Sequence, residues 1–84
     1  MNNVIMRKLA VGANYQALAS VKTVATVTVS AAPTNAAEVY FLGDDATDVP
    51  WAPGEWHTLK SVDLADLQVK GTAGDVVTVV GGTW

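Results

Sequence analysis

The clearest pattern along this chain is an alternation of apolar and polar residues between positions 21 and 30. The odd-numbered residues are mostly Val and Ala, and the even-numbered residues are rich in Thr and Ser. A period of two with many β-branched residues is typical of a β-strand that has one buried face. We therefore predict a strand over 21–30 whose threonine-rich face meets solvent or a hydrated interface.

Further short strand patterns follow, separated by residues that favour turns. Residues 38–42 are apolar on both faces, which predicts a strand covered on both sides. Shorter strands are predicted over 56–60, 67–70 and 76–80. Turns or loops are predicted between them at 31–36, 43–48, 49–55 and 71–75. Within the third of these segments, Pro53 and Gly54 favour the two central positions of a type II turn.

The sequence pattern is less specific at the two ends and in two internal segments. For residues 1–13 we predict an extended arm or an edge strand that ends at Gly12, with a helix over 3–11 as the alternative. Residues 15–20 form a short strand or one helical turn capped by Asn14. Residues 62–66 favour a helical turn capped by Ser61, and residues 81–84 a flexible C-terminal tail.

Together these elements predict one domain over residues 1–84 that is all-β. Six to seven short strands at intervals of about 8–12 residues are the rhythm of an antiparallel β-sandwich or barrel. No segment favours a helix long enough to connect parallel strands. The expected fold class is therefore a small antiparallel β-sandwich or barrel.

The amino-acid composition predicts that this small domain associates with itself or with another protein. The 84 residues include no cysteine and one histidine, which leaves out disulfides and clustered thiolate or histidine metal sites as means of stabilising a small domain. Hydrophobic residues make up 50% of the chain and charged residues only 15%, whereas soluble domains carry about 25% charged residues. We expect other protein to cover part of the apolar surface.

Charge and the start of the chain argue against several other partners. The formal net charge is −3 and the five basic residues are scattered apart from Arg7 and Lys8, so a nucleic-acid interface is not expected. No apolar stretch approaches the roughly 20 residues of a membrane-spanning helix. Residues 1–8 lack the pattern of a secretory signal, so synthesis and folding in a cytoplasm are expected.

Candidate catalytic and metal-binding residues do not form a recognised motif. His57 lies between Trp56 and Thr58 in a predicted strand, with no nucleophile motif near it. The acidic loop 43–48 lacks the regular spacing and distal Glu of a calcium loop, and its Asp44 and Asp45 are typical turn formers. A carboxylate pair for glycoside hydrolysis stays open, but we predict no catalytic, metal or cofactor site.

Aromatic residues are the candidates for binding. Trp56 is predicted in the core, whereas Trp51 fits packing over the proline-rich turn and an interface contact equally well. Trp84 follows two glycines and is expected to dock on a neighbouring protein. Trp51, Trp56 and Tyr40 could alternatively line a sugar-binding platform.

Residues 39–82 resemble a pattern found in bacteriophage structural proteins. In those proteins a Val-Tyr-x-Gly strand precedes an Asp/Thr-rich loop, a Pro-Leu-Ala-Pro-Gly-Glu type of turn, an Asp-Leu-x-x-Val-x-Gly strand and an Ala-Gly-Asp-x-Val ending. The matching segments are Val39-Tyr40-Phe41-Leu42-Gly43, Asp45-Ala46-Thr47, Pro50-Trp51-Ala52-Pro53-Gly54-Glu55-Trp56, Asp66-Leu67-Gln68-Val69-Lys70-Gly71 and Thr72-Ala73-Gly74-Asp75-Val76-Val77. Trp51 replaces the usual aliphatic residue, and the N-terminal half is not matched.

The resemblance implies a β-sandwich of the virion, often trimeric, that binds the major capsid protein or another virion protein. A capsid decoration, or cement, protein that stabilises the head as a homo-oligomer is the leading expectation. The alternatives are a tail, neck or fibre component, a carbohydrate-binding adhesion module and, more weakly, a small hydrolase. The predicted partner contacts are the apolar segment Val4, Ile5 and Met6, together with Trp51 and Trp84.

Overall fold

Between residues 4 and 83, which the computed structural model describes, the chain forms two four-stranded antiparallel sheets. The first sheet has the strand order β1-β8-β3-β6 and the second has the order β2-β7-β4-β5. The strands are β1 (Val4–Ala10), β2 (Gln16–Ala17), β3 (Val24–Ala31), β4 (Val39–Leu42), β5 (Asp48–Trp51), β6 (Trp56–Asp63), β7 (Gln68–Lys70) and β8 (Val76–Gly82). The all-β prediction is confirmed, and the architecture is a sandwich.

The core lies between the two sheets and is made mainly of valine. Side chains that alternate along each strand point inward, as the period-two pattern of β3 predicts: Ala25, Val27 and Val29 are buried. The largest fully buried side chains are Leu64, Val27, Val29, Val39, Val69, Val77 and Val79. Fully burying a Val or Leu side chain contributes about 1.5–3 kcal/mol, so these residues provide much of the driving force for folding.

The last strand, β8, continues through Gly81 and Gly82, which the sequence analysis assigned to a flexible tail. Gly81 lies opposite Val27 on the neighbouring β3. A Cβ atom at position 81 would come within 2.1 Å of the Thr26 carbonyl oxygen and 2.6 Å of the Val27 Cα. The glycine is therefore needed because the backbones of β3 and β8 approach closely. Trp84 lies outside the described residues.

The strand β6 is longer than predicted and contains a bulge. Its pairing with β3 shifts between Ala25 and Val27, and Ser61, within the shifted part of β6, has a positive φ of 52°. The predicted helical turn exists as a single 3-10 turn at Leu64–Asp66, but Asp63 rather than Ser61 caps it. The Asp63 carboxylate accepts from the Ala65 N–H at 3.0 Å and from the Thr23 N–H at 2.9 Å.

The segment predicted as a pair of turns contains one strand and one turn. Residues Asp48–Trp51 form β5, and Pro50 fits there because β5 is an edge strand, where a missing N–H donor is tolerated. The turn at 52–55 is confirmed. The Glu55 N–H donates to the Ala52 carbonyl at 2.9 Å, and Gly54 has the positive φ of 86° that a type II turn requires.

Of the segment predicted over 1–13, residues Val4–Ala10 form an edge strand and not a helix, and residues 1–3 lie outside the described residues. β1 pairs with β8 along its whole length, from Val4 opposite Gly82 to Ala10 opposite Val76. The β-branched Val4 and Ile5 and the lack of a helix cap agree with this outcome. The ambiguous segment 15–20 contains the short strand β2, which pairs with β7.

Candidate interaction surfaces

Exposed apolar side chains gather at one side of the first sheet. Val4 and Met6 point outward from β1, with 70% and 73% of their surface exposed, and Val80 on β8 is 47% exposed. The register places Met6 opposite Val80 and Val4 opposite Gly82, so the three side chains are neighbours on the outer face. We call Val4, Met6 and Val80 the apolar patch.

The middle of this outer face carries no charge. Neither β3 nor β8 contains a charged residue, and the outward positions next to the apolar patch are mainly threonine and serine. Thr28 lies opposite Val80 on one side and Thr58 on the other, and the two threonine hydroxyls are 2.9 Å apart. Covering such a face with protein requires no burial of an unpaired charge, which is the costliest part of desolvation.

Two of the predicted partner contacts belong instead to the core. Ile5 lies between outward-facing Val4 and Met6 on β1 and is only 5% exposed, because alternate residues of a strand face opposite sides. Trp51 is also buried. Its ring stacks on Phe41 with centroids 4.0 Å apart and meets the edge of His57 at 4.7 Å. Trp51 therefore fills the space between the two sheets and is not available to a partner.

The prediction for Trp56 is also wrong, in the opposite sense. Trp56 lies opposite Ser30 on the outer face of the first sheet, and 62% of its surface is exposed. Tyr40 lies on the other sheet, opposite Lys70 and Pro50, and is half-buried. Because Trp51, Trp56 and Tyr40 occupy the core and two different sheets, they do not form the common platform that the sugar-binding hypothesis requires.

His57 lies in a strand, as predicted, and its side chain is partly exposed. Its Nε2 atom lies 2.7 Å from a Glu55 carboxylate oxygen, and 52% of its side chain is exposed. The hydrogen bond from His57, followed by one from the Ala52 N–H, lowers the pKa of Glu55. These contacts hold the turn at 52–55 against the start of β6.

A polar cluster that the sequence analysis did not anticipate ties the β1–β2 connection to β5. The Tyr15 hydroxyl donates to the Asp48 carboxylate, and the Lys70 Nζ lies 3.1 Å from the other Asp48 oxygen and 4.7 Å from the centre of the Tyr15 ring. Desolvation of the phenol and the bond to Asp48 raise the pKa of Tyr15 to about 12. The bonds from Tyr15 and Lys70 lower the pKa of Asp48. No local sequence signal joins residues so far apart in the chain.

The acidic loop between β4 and β5 behaves as a turn. The Asp45 carboxylate accepts from the Thr47 N–H at 3.2 Å and from its hydroxyl at 2.6 Å, which is the turn-forming role expected of an Asp at this position. These bonds lower the pKa of Asp45. Residues 4–83 contain no group of three or more His, Cys, Asp or Glu side chains placed to share a metal ion.

A buried polar arrangement holds the β3–β4 connection. The Asn35 side chain accepts from the Val76 N–H at 2.9 Å and donates to the Val76 carbonyl at 3.0 Å. The Asp75 carboxylate accepts from the N–H groups of Ala36 and Ala37. Both polar side chains are buried and satisfied, so this arrangement is structural.

Residues 4–83 enclose no pocket of ligand size. Within the same range, no helix has the length and apolar character that crossing a bilayer requires. Surfaces, and not clefts, are therefore the features of this fold that offer contacts to a partner.

The chain was compared with known families, curated proteins and solved structures. No family model, curated sequence or solved structure matches it.

Proposed function

We propose that this protein is a structural component of a bacteriophage particle: a decoration, or cement, protein that binds the assembled head as a homo-oligomer. The observation that carries the proposal is the apolar patch of Val4, Met6 and Val80, exposed beside an uncharged strand pair. A small soluble domain rarely leaves large apolar side chains together in water unless another protein covers them. The resemblance of residues 39–82 to phage structural proteins supports the choice of the virion as partner.

The mechanism of such a protein is stabilisation by mass action. A protein that binds the assembled shell, and not its dissociated subunits, shifts the equilibrium toward the shell. Each contact can be weak, because several symmetric copies bound together raise the effective concentration of every further contact. A sandwich whose outer face has two uncharged central strands, β3 and β8, suits this role.

Two of the predicted partner contacts, Val4 and Met6, lie in the apolar patch together with Val80. Burying apolar surface contributes about 25 cal/mol per Å², so contact with these three side chains would supply useful affinity in each subunit. Ile5 and Trp51 belong to the core and take no part in the proposed contact.

The first test is the presence of the protein in purified particles. Phage particles produced by a host that carries the gene are purified by density gradient, and the chain is sought by mass spectrometry and located by immunogold labelling. Labels over the head support the proposal. Labels over the tail or neck would replace head decoration by the alternative virion role, and absence of the chain from the particles would overturn the proposal.

A second test asks whether the apolar patch makes the contact. Particles lacking the protein are incubated with the wild-type chain or with the Val4→Asp/Met6→Asp variant, and bound protein is measured by sedimentation. We expect the variant to bind at least tenfold more weakly. The matched control is Val21→Asp, since Val21 is 69% exposed but lies before β3 and outside the patch. Equal binding by the patch variant would remove the patch from the proposal.

A further inference from the structure

Charge along this chain is segregated by element. The strand β1 contains Arg7 and Lys8, two of the five basic residues of the chain, and no acidic residue. Residues 43–56 contain four of its eight acidic residues, Asp44, Asp45, Asp48 and Glu55, and no basic residue. A chain with a net charge of −3 therefore has one basic strand and one strongly acidic segment.

The fold places these two segments on opposite sides of the sandwich. β1 and β6 are the two edges of the first sheet, and β5 is an edge of the second sheet. The ring contact between Trp51 of β5 and His57 of β6 shows that β5 and β6 lie along the same side. We call the β1 edge, with Arg7 and Lys8, the basic side; Val4 and Met6 lie beside it on the outer face of the sheet and belong to the apolar patch. The acidic side is the β4–β5 loop and the β5 edge, with Asp44, Asp45 and Val49. Asp48 is already paired with Lys70, and the adjoining β6 edge carries His57 and Lys60, so neither is counted as part of the acidic side.

Apolar surface is exposed next to both sides. Val4 and Met6 of the apolar patch adjoin the basic side on the outer face of the sheet, Val49 on the acidic side is 40% exposed, and Trp56 at the start of the adjoining β6 is 62% exposed. Tryptophan is among the residues most enriched at the energetic centres of interfaces. Each side thus has a charge of one sign with apolar surface next to it, which favours a complementary contact.

Features of the four edge strands oppose the pairing of strands between copies. β2 has two residues, β5 contains Pro50, and β6 has the bulge at Ser61. On β1, Arg7 lies opposite the buried Val79, so a charge stands at an inward-facing position of the edge. Short strands, proline, bulges and inward-facing charges all disfavour edge-to-edge hydrogen bonding. Association is therefore expected through side chains.

We propose that copies of this chain associate head to tail, with the basic side of one copy against the acidic side of the next. The occupant of each side is thus a second copy of the chain. This inference deepens the proposed function, since it depends on the homo-oligomer that the function includes. Opposite charges favour this heterologous contact, whereas a two-fold contact between identical sides would bring like charges together. Heterologous contacts close into rings when the rotation between neighbours permits it, and a trimer is such a ring.

The test is a charge exchange, followed by solution mass and dissociation constants from sedimentation velocity. One variant carries Arg7→Glu and Lys8→Glu, a second carries Asp44→Lys and Asp45→Lys, and a third combines all four changes. Lys22→Glu serves as the control for altered net charge, because Lys22 is exposed in the β2–β3 connection and belongs to neither side. Circular dichroism verifies the β-fold of each variant.

We expect each two-residue variant to weaken self-association at least tenfold and the fourfold exchange to restore it, since the exchange recreates opposite charges at the contact. Mixing the two-residue variants should also restore association. Salt should weaken the wild-type oligomer, because the screening length falls from about 10 Å at 0.1 M to about 3 Å at 1 M. Since Asp45 also bonds to Thr47, Asp44→Lys alone is included and should give a smaller effect in the same direction.

Two results would overturn the inference: unchanged association in both two-residue variants, or no recovery in the fourfold exchange. A wild-type chain that stays monomeric but is present on purified particles would overturn the head-to-tail contact and leave the virion role standing. Conversely, absence from particles together with the full exchange pattern would overturn the virion role and support the contact between copies.

Discussion

Met6 and Val80 lie directly opposite each other on neighbouring strands, and both side chains are exposed on the outer face of the sheet. Opposed residues in an antiparallel pair have Cβ atoms roughly 4.5–5.5 Å apart, so the two side chains form one continuous apolar spot. Because both side chains stay largely exposed, their contact contributes little to the stability of the fold. Its position beside the uncharged β8–β3 pair is what makes it a candidate contact.

The alternation along β1 predicts a large effect on stability for one substitution and almost none for its neighbour. Ile5→Ala should lower the free energy of unfolding by about 2–5 kcal/mol, because it removes a buried side chain and leaves a cavity. Met6→Ala should change it by less than about 0.5 kcal/mol, because Met6 is exposed. Chemical denaturation of both variants at a fixed, low protein concentration measures the difference. Similar losses for the two would contradict the inward and outward assignment of β1.

The close approach of β3 and β8 makes position 81 intolerant of any side chain. Gly81→Ala should destabilise the fold by about 1–3 kcal/mol or more, because the added methyl would meet the Thr26 carbonyl and force the strands apart. Gly12→Ala is the matched control, since a Cβ there has no atom within 4 Å. Thermal unfolding of both variants is the measurement, and an equally small shift for the two would show that β8 ends before Gly81.

The Tyr15–Asp48 bond predicts a delayed tyrosine ionisation. A spectrophotometric titration should show one tyrosine with a pKa of about 12, because desolvation and the Asp48 carboxylate both oppose the phenolate. Asp48→Asn should move this pKa part of the way back toward 10.0, since only the carboxylate contribution is removed. The titration is read while circular dichroism still reports the native fold. A Tyr15 pKa unaffected by Asp48→Asn would contradict the cluster.

Acid should destabilise the fold through its bonded carboxylates. The backbone N–H of Thr23, followed by that of Ala65, lowers the pKa of Asp63 below its usual 3.8. A lowered folded-state pKa contributes stability that is present above the unfolded-state pKa and is lost as the pH falls through the folded-state value. Asp63→Asn should therefore flatten the decline in stability below about pH 4. Urea unfolding at several pH values from 2 to 6 measures the free energy of unfolding, with Asp66→Asn as the control because Asp66 is exposed. An equally steep loss of stability with falling pH in the wild type and in Asp63→Asn would contradict this role of Asp63.

The sequence predicts the parts of this fold that depend on local pattern. The period-two alternation identified β3 and its buried face correctly, and the Pro53-Gly54 pair identified the type II turn. The pattern predicts a flexible end at Gly81 and Gly82 because glycine pairs usually mark such ends, whereas the close approach to Thr26 of the neighbouring β3 requires glycine at position 81. That requirement is visible only after the strands are paired.

The two tryptophans show the same limit at the candidate surface. Trp51 and Trp56 are five residues apart and both lie in strands, yet one is buried against Phe41 and the other is exposed. The β5–β6 connection carries the chain from the second sheet to the first, and this change of sheet decides which face each residue joins. Strand propensity alone carries no information on that choice.

The most direct test of the account is the solution mass of the wild-type chain, measured by light scattering over a dilution series at low and high salt. The account predicts a trimer of about three times 8.7 kDa that dissociates on dilution and does so more readily in salt. A constant mass of 8.7 kDa at all concentrations would contradict the central claim that the exposed sides of this sandwich meet other copies of the chain.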